Sequence, residues 1–325
     1  MAKMTMVQAL NLALREAMAQ DDTVVLLGED IGPDGGVFRV SDGLIDTFGE
    51  KRVIDTPLAE SAILGMAVGM AIYGLKPVCE IQFSGFAYQG FHQMENHAAR
   101  MRWRTQGRLT VPMVMRAPYG GGVRALEHHS ESREAYWAHT PGLKVVIPSG
   151  PRNARALLLS AIRDPDPVVF YEAKALYRAF REEVPEEEEV MPLGVSRLVR
   201  KGNSLTMITY GAMLQPTLEA ADQLEREGIT ADVIDLLTLS PLDDSLMLAS
   251  IQKTGRAVIV HEAPGSFGPG AEIVTRLLEG AFYYLEAPVK RVTGYDIIIP
   301  YFSREKWYVP DVARIIEAAR STLKM

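Results

Sequence analysis

Residues 55–83 read DTPLAESAILGMAVGMAIYGLKPVCEIQF, and this segment predicts one helix followed by one strand. Its first part, 59–73, is rich in alanine and glycine and almost wholly apolar, which is typical of a buried helix. The shorter stretch 76–83 comes soon after a glycine and is mostly apolar, which is typical of a buried strand. The segment therefore has the order of one unit of a parallel α/β sheet.

The same alternation of helices and strands extends in both directions along the chain. Thr5 is the predicted N-cap of the first helix. Before residue 181 the remaining predicted segments are helix 6–18, strand 23–27, helix 91–105, strands 112–116 and 144–148, helix 152–163 and strand 167–172. After residue 194 they are strand 205–210, helix 214–227, strand 231–236, helix 242–252, strands 257–261 and 291–292, and helix 312–323. This order predicts an α/β fold with parallel sheets covered by helices.

The chain length of 325 residues corresponds to about two domains of ordinary size. Residues 181–194 (REEVPEEEEVMPLG) interrupt the alternation with two prolines and six glutamates. A run of like charges is usually solvated surface, and here it also marks the expected boundary. We predict an α/β domain over 1–186, an acidic linker over 187–194 and a smaller α/β domain over 195–325.

Composition excludes several classes of protein. The net charge is −7, and six of the acidic residues lie in the segment just described, so no basic surface is available for nucleic acid. The single cysteine, Cys79, excludes a disulfide framework and suits a reducing compartment. The longest apolar stretch, 62–73, is too short to span a bilayer, and the first 18 residues lack the pattern of a signal peptide. We expect a cytoplasmic protein that binds neither membranes nor nucleic acid.

Glu60 is the first candidate for chemistry. With Thr56 as N-cap and Pro57 as the first helical residue, a capping box would place its acid at Ala59, so capping does not explain Glu60. A carboxylate next to an apolar helix is removed from water, which strengthens its hydrogen bonds. The alternative is an acid that only complements the helix dipole.

Gly65 and Gly69 lie about one turn apart in the same predicted helix. Each glycine costs a helix about 1 kcal/mol relative to alanine, so each needs a reason. Close approach of a second helix is the plainest one, and that helix could come from this chain or from another subunit.

Two further stretches contain candidate residues. Residues 80–91 (EIQFSGFAYQGF) combine an amide with four aromatic rings, which suits either ordinary core or the face of a planar ligand. Residues 119–130 (YGGGVRALEHHS) lack the lysine and hydroxyl of a phosphate-binding loop. The adjacent His128 and His129 have no metal-binding spacing, so acid–base chemistry by one of them is expected.

Nine motifs carry a resemblance to a known family. They are GEDIG (28–32), GGVFRVSDGL (35–44), VIDTPLAES (53–61), EIQFSGF (80–86), RWRTQG (102–107), HHSES (128–132), HTPGLKVVIPS (139–149), VIDL (233–236) and KTGRAVIVHEAP (253–264). Over nearly its whole length the chain resembles the beta subunit of the decarboxylating component of 2-oxo acid dehydrogenase complexes. The resemblance implies a thiamine-diphosphate enzyme with a pyrimidine-binding domain followed by a transketolase C-terminal-like domain.

The resemblance also implies roles for individual residues. Glu60 is expected to hydrogen-bond the pyrimidine ring of the cofactor, and His129 to handle protons or orient substrate during acyl transfer to a lipoyl arm. The other implied cofactor contacts are Glu29, Leu58, Ala59, Gln82 and Phe86. The implied substrate contacts are Phe83, Ser84, Gly85, Phe86 and His129. A structural potassium site is implied at Ala161, Asp164 and Asp166.

The family's Gly-Asp-Gly…Asn signature for magnesium and diphosphate is absent from this sequence. The resemblance places it on a separate alpha subunit and implies two alpha and two beta chains, docked to a dihydrolipoyl acyltransferase core. Residues 294–300 (GYDIIIP) depart from the family pattern near the docking face. Branched-chain 2-oxo acids are the expected substrates, with pyruvate slower; the alternatives are acetoin cleavage and a non-catalytic scaffold. The resemblance assigns no role to His128 or Arg124.

Overall fold

The computed structural model describes residues 2–324, which form two α/β units. One unit comprises the chain up to Tyr119 together with Tyr136–Leu193, and the other comprises Gly120–Ala135 together with the chain from Gly194 onward. The sequence-based division at 187–194 differs from this grouping, because it left residues 120–135 in the first domain. They group with the second unit because their polar contacts are made there, as the Glu134–Tyr210 hydrogen bond of 2.6 Å illustrates.

Six parallel strands build the sheet of the first unit, in the order β6-β7-β5-β4-β2-β3. The strands of this unit are β1 (Ala2–Met4), β2 (Val24–Gly28), β3 (Val53–Asp55), β4 (Lys76–Glu80), β5 (Val114–Tyr119), β6 (Lys144–Val146), β7 (Val168–Ala173) and β8 (Glu182–Val184). Strands β1 and β8 form a separate antiparallel pair. The helices are α1 (Met6–Gln20), α2 (Leu44–Phe48), α3 (Glu60–Ile72), α4 (Met101–Arg104), α5 (Glu134–Ala138), which crosses the boundary between the units, and α6 (Pro151–Arg163).

The second unit has a five-stranded sheet in the order β14-β13-β10-β11-β9, in which β9 alone runs antiparallel to its neighbour. Its strands are β9 (Arg197–Arg200), β10 (Leu205–Thr209), β11 (Ala231–Asp235), β12 (Thr238–Ser240), β13 (Ala257–Pro264) and β14 (Lys290–Gly294). Its helices are α7 (Leu214–Glu225), α8 (Ser245–Thr254), α9 (Pro269–Ala281), α10 (Glu305–Tyr308) and α11 (Val312–Leu323). The α/β class predicted from the sequence is confirmed.

Local sequence signals explain some helix ends and fail at others. Thr5 caps α1 as predicted: its Oγ1 accepts from the N–H of Gln8, while the Gln8 side chain accepts from the N–H of Thr5. The predicted cap at Thr56 is wrong, because α3 begins at Glu60 with Ala59 as its N-cap. Residues 91–105 do not form one α-helix either. They contain a π-helical turn, Gln93–Ala98, followed by the short α4.

The acidic stretch after β8 is bound to the first unit by arginines of α6. Glu188 lies 2.5 Å from Arg163, and Glu189 lies 2.7 Å from Arg152. The hydrogen bond from Arg163 lowers the pKa of Glu188 to about 2. The expectation of a freely solvated acidic surface is therefore only partly met. None of the helices within residues 2–324 combines the length and the apolar composition that a membrane span requires.

Candidate functional site

The carboxyl ends of β2, β3 and β4 meet at one edge of the first sheet. Gly28, the last residue of β2, lies opposite Asp55 of β3 on one side and Glu80 of β4 on the other. After β2 the chain thus forms β3 on one side of it and then β4 on the other side, so the strand order reverses at β2. In open parallel sheets, ligands bind at such a reversal of strand order.

Glu60 lies at this edge as the first residue of α3, and its side chain is buried. Within residues 2–324, its Oε2 atom has no hydrogen-bond partner, and the same holds for Oγ1 of Thr56. A buried polar atom without a partner costs free energy, so natural proteins rarely leave one without a reason. The two atoms suit a ligand that brings its own hydrogen-bonding groups.

Negative charge is concentrated around Glu60. Glu29 follows β2 directly and is half-buried. Burial raises the pKa of Glu29, and the nearby carboxylates of Asp30, Glu60 and Asp55 raise it further. Such an acidic edge favours a ligand group that donates a hydrogen bond or carries a proton.

The aromatic stretch after β4 completes this edge. The Gln82 side chain donates to Asp30 Oδ2 at 2.9 Å. A 3₁₀ helix, Ser84–Gly90, then packs against α3 and buries Ser84 and Gly85. Phe86 contacts Phe83 edge to face, with 5.7 Å between the ring centroids.

The structure thus brings together most of the residues that the resemblance implies for the cofactor. Leu58 differs from the others, because 67% of its surface is exposed. Ala59 beside it is half-buried. The structure places the following implied contacts at or after the ends of β2, β3 and β4: Glu29, Leu58, Ala59, Glu60, Gln82, Phe83, Ser84, Gly85 and Phe86.

A buried ion network beneath this edge was not singled out from the sequence. Arg116 of β5 donates to both carboxylate oxygens of Glu172 on β7, at 2.7 and 2.9 Å, and to Glu80 of β4 at 2.8 Å. The Tyr177 hydroxyl also donates to Glu172, at 2.7 Å. The available signal was one charged residue within each of the otherwise uncharged strands β5 and β7, together with Glu80 at the end of β4.

His129 belongs to the second unit, in a short 3₁₀ turn, Glu127–His129. Its side chain is half-buried, whereas that of His128 is exposed and lies 3.9 Å from Glu131. Arg124 is also exposed and has a positive φ of 57°. Burial therefore separates the two histidines that the sequence alone left equivalent.

The residues of the implied potassium site contact cationic side chains. Asp164 lies 2.5 Å from Nζ of Lys144, and Asp166 lies 2.6 Å from Nε of Arg102. The carbonyl oxygen of Ala161 accepts from the N–H of Asp164 at 3.3 Å. The described part of the chain holds no group of three or more His, Cys, Asp or Glu residues suited to a metal ion. The potassium site stays a prediction that depends on main-chain oxygens.

Both halves of the chain match models of known protein families. Residues 2–179 match the family model "Transketolase, pyrimidine binding domain", and residues 194–315 match "Transketolase, C-terminal domain". The pyruvate dehydrogenase E1 component subunits beta of Acholeplasma laidlawii and Staphylococcus epidermidis are each 49% identical to this chain over 324 residues. These alignments cover 100% of this chain and 99% and 100% of the two relatives.

Among solved structures, a split-gene transketolase described as an inactive beta4 tetramer superimposes with a TM-score of 0.82 at 23% identity. The match covers 99% of both chains and shows the shared fold. Both the resemblance derived from the motifs and the transketolase-like architecture are confirmed. The chain therefore belongs to the family of 2-oxo acid dehydrogenase E1 beta subunits.

Proposed function

We propose that this chain supplies the pyrimidine-binding half of an active site that decarboxylates 2-oxo acids with thiamine diphosphate. The observation that carries the proposal is the buried Oε2 atom of Glu60, which has no partner among residues 2–324 and lies where the strand order reverses. The pyrimidine-binding family match over residues 2–179 supports the same cofactor. When bound, this cofactor supplies a carbon nucleophile and an electron sink for the loss of carbon dioxide.

The chain's own residues have distinct tasks in this proposal. Glu60 accepts a hydrogen bond from a pyrimidine nitrogen and holds the proton there. This hydrogen bond is strong because the Glu60 side chain is buried. Glu29 and Gln82 line the polar side of the pyrimidine pocket, while Phe86 contacts the pyrimidine ring. His129 orients the substrate or handles a proton as the acyl group passes to a lipoyl group.

The diphosphate and magnesium are proposed to bind on an alpha subunit, because no Gly-Asp-Gly occurs in this chain. An exposed face of α3 supports a partner subunit. A side chain added at Gly69 would meet no atom within 4 Å, and one added at Gly65 would meet only Gln93, at 3.8 Å, among the described residues. Gly65 thus lies beside the π-helical turn Gln93–Ala98 of this chain, whereas no described helix covers Gly69.

We further propose two alpha and two beta chains, docking to a dihydrolipoyl acyltransferase core, and a cytoplasmic location. The segment after β14 supports a docking surface, since Ile297 and Ile298 have 58% and 78% of their surfaces exposed. Exposed apolar groups of this kind are typical of interaction sites. A bound potassium ion at residues 161–166 completes the proposal.

The first prediction is that the purified chain alone decarboxylates no 2-oxo acid and becomes active when combined with its alpha partner. Reduction of an artificial electron acceptor measures this, with pyruvate, 2-oxoisovalerate, 4-methyl-2-oxopentanoate and acetoin compared in parallel. We expect turnover of the branched-chain acids with pyruvate slower. An extra methylene in an apolar pocket changes binding by only about 1–3 kcal/mol, so discrimination should be modest.

Robust turnover by the chain alone would contradict the two-subunit proposal. Turnover confined to pyruvate, the substrate in the names of the relatives, would overturn the branched-chain preference. Turnover of acetoin alone would assign the protein to acetoin cleavage.

The second prediction concerns assembly. Gly69→Leu should leave the isolated chain at least as stable as the wild type, because leucine favours a helix over glycine by about 1 kcal/mol. It should nevertheless weaken association with partner subunits at least about tenfold, since a bulky side chain blocks close helix approach. Analytical ultracentrifugation measures association, with Thr275→Leu on the exposed face of α9 as the control. Unchanged assembly in Gly69→Leu would show that this face of α3 has no partner.

A further inference from the structure

The loop Gly120–Ala135, which carries His129, is held near both ends by hydrogen bonds that involve buried glutamates. Near its start, the N–H of Gly121 donates to Glu262 and the N–H of Gly122 donates to Glu305. Near its end, Oε1 of Glu134 accepts from the Tyr210 hydroxyl at 2.6 Å. The exposed fractions of Glu262, Glu305 and Glu134 are 4%, 2% and 0%, so water does not compete effectively for these bonds.

Between these ends the loop lacks apolar anchors. Val123 and Leu126 have 44% and 48% of their surfaces exposed, and Arg124 is exposed as well. Apolar burial therefore contributes little to the position of this stretch. Hydrogen bonds to carboxylates are charge-assisted and stronger than those between neutral groups, so the bonds to Glu262 and Glu305 contribute strongly to the placement of the loop.

Glu305 differs from the other anchors in its origin. Glu262 belongs to β13, and Tyr210 directly follows β10, the parallel neighbour of β13, so both anchors are fixed by the sheet. Glu305 instead begins the four-residue helix α10, which follows a segment outside the sheet. The same segment makes a second bond to the loop, from the Tyr301 hydroxyl to Glu127.

The contact between Glu305 and the loop leaves no spare room. A side-chain carbon added at Gly121 would lie 2.5 Å from Oε1 of Glu305. Gly122 has a φ of +89°, a conformation that glycine adopts without strain and other residues rarely adopt. The backbone therefore approaches the carboxylate directly, and a change in the carboxylate should be transmitted to the loop.

We propose that Glu305 is a positioning residue, which fixes the start of the loop through Gly122 and thereby sets the position of His129. The inference rests on the proposed function for the role of His129. Glu305 itself touches no reacting atom in this proposal. It acts through the four-residue stretch between Gly122 and the 3₁₀ turn that carries the histidine.

The test compares Glu305→Ala, Glu305→Gln and Glu305→Asp in the enzyme assembled with its alpha partner, with Glu279→Ala as the control. Glu279 is an exposed glutamate on α9 of the same unit. Hydrogen–deuterium exchange of peptides covering residues 120–135 should become at least about tenfold faster in Glu305→Ala, because the loop opens more often. It should be less affected in Glu305→Gln, whose amide oxygen still accepts a hydrogen bond, and unchanged in the control.

Turnover provides the second readout. Turnover with a lipoylated acceptor should fall about tenfold to a hundredfold in Glu305→Ala, because small displacements of a catalytic group cost this much. KM for the 2-oxo acid and turnover with an artificial acceptor should change far less, which a general loss of structure would not produce. In a His129→Ala background, Glu305→Ala should cause no further loss, since the two residues act as one unit.

Unchanged exchange in Glu305→Ala, or faster exchange with unchanged lipoyl-dependent turnover, would overturn the proposal. An equal further loss in the His129→Ala background would overturn it as well. If the wild-type assembly turned over no 2-oxo acid, the proposed function would fail, while the exchange data would still decide whether Glu305 holds the loop. If Glu305→Ala did not assemble, Glu305→Asp, which keeps the charge one methylene shorter, would carry the same comparisons.

Discussion

Replacement of Glu60 by glutamine should lower the decarboxylation rate of the assembled enzyme about a hundredfold, equivalent to about 3 kcal/mol. A neutral amide cannot hold a proton on the pyrimidine nitrogen as a carboxylate does. Because Oε2 of Glu60 is buried and has no partner among residues 2–324, the same substitution removes an unfavourable charge. Thermal stability should therefore stay equal or rise while activity falls.

Artificial-acceptor assays of the assembled enzyme measure the first effect, and thermal unfolding of the isolated chain without cofactor measures the second. Binding of thiamine diphosphate, followed by circular dichroism, establishes that the pocket is intact in the variant. Glu219→Gln, on the exposed side of α7, is the matched control and should change neither quantity. Near wild-type activity in Glu60→Gln would show that Glu60 only complements the helix dipole and has no role in the reaction.

Replacement of Arg116 by methionine should lower the free energy of unfolding of the first unit by about 3–5 kcal/mol, because two buried carboxylates lose their cation. Glu80 and Glu172 lie at hydrogen-bond distance from this arginine and are themselves buried. Burial already raises the pKa of Glu80, and Arg116 opposes that effect. Without the arginine, the Glu80 carboxyl should bind a proton in the folded state at higher pH than in the unfolded state.

The sign of the pH dependence follows from this change. A folded state that binds more protons loses stability as pH rises. The loss of unfolding free energy in Arg116→Met should thus be smaller at pH 5 than at pH 8. Urea denaturation at the two pH values measures it, and the triple variant Glu80→Gln, Arg116→Met, Glu172→Gln should recover much of the loss.

Arg226→Met at an exposed position is the control for the arginine and should change stability by less than about 0.5 kcal/mol. If Arg116→Met lowered the free energy of unfolding by no more than the control does, the ion network would contribute nothing to the stability of the first unit. A loss of stability that grew at low pH would contradict the proposed protonation of Glu80.

Local structural features of the chain could be predicted from the sequence alone. The helix Val312–Leu323 was predicted with its observed bounds, and the capping of α1 by Thr5 involves residues only three positions apart. Such features depend on residues within one helical turn of each other, so a short stretch of sequence is enough to predict them. The alternation of apolar helices and strands likewise determined the α/β class, because burial of both sheet faces requires it.

Tertiary packing decided the features that join distant residues. The cap at Thr56 failed because α3 begins at Glu60 instead, and Thr56 contributes a buried hydroxyl to the candidate site. Glu305 lies 183 positions from Gly122, and Arg116 lies 56 from Glu172. No periodicity or spacing specifies which buried charges meet, since this depends on how strands and loops are placed in three dimensions. The sequence by itself thus determined the class of fold, the family and most candidate residues, whereas only the structure decided which unit holds His129 and which carboxylates hold its loop.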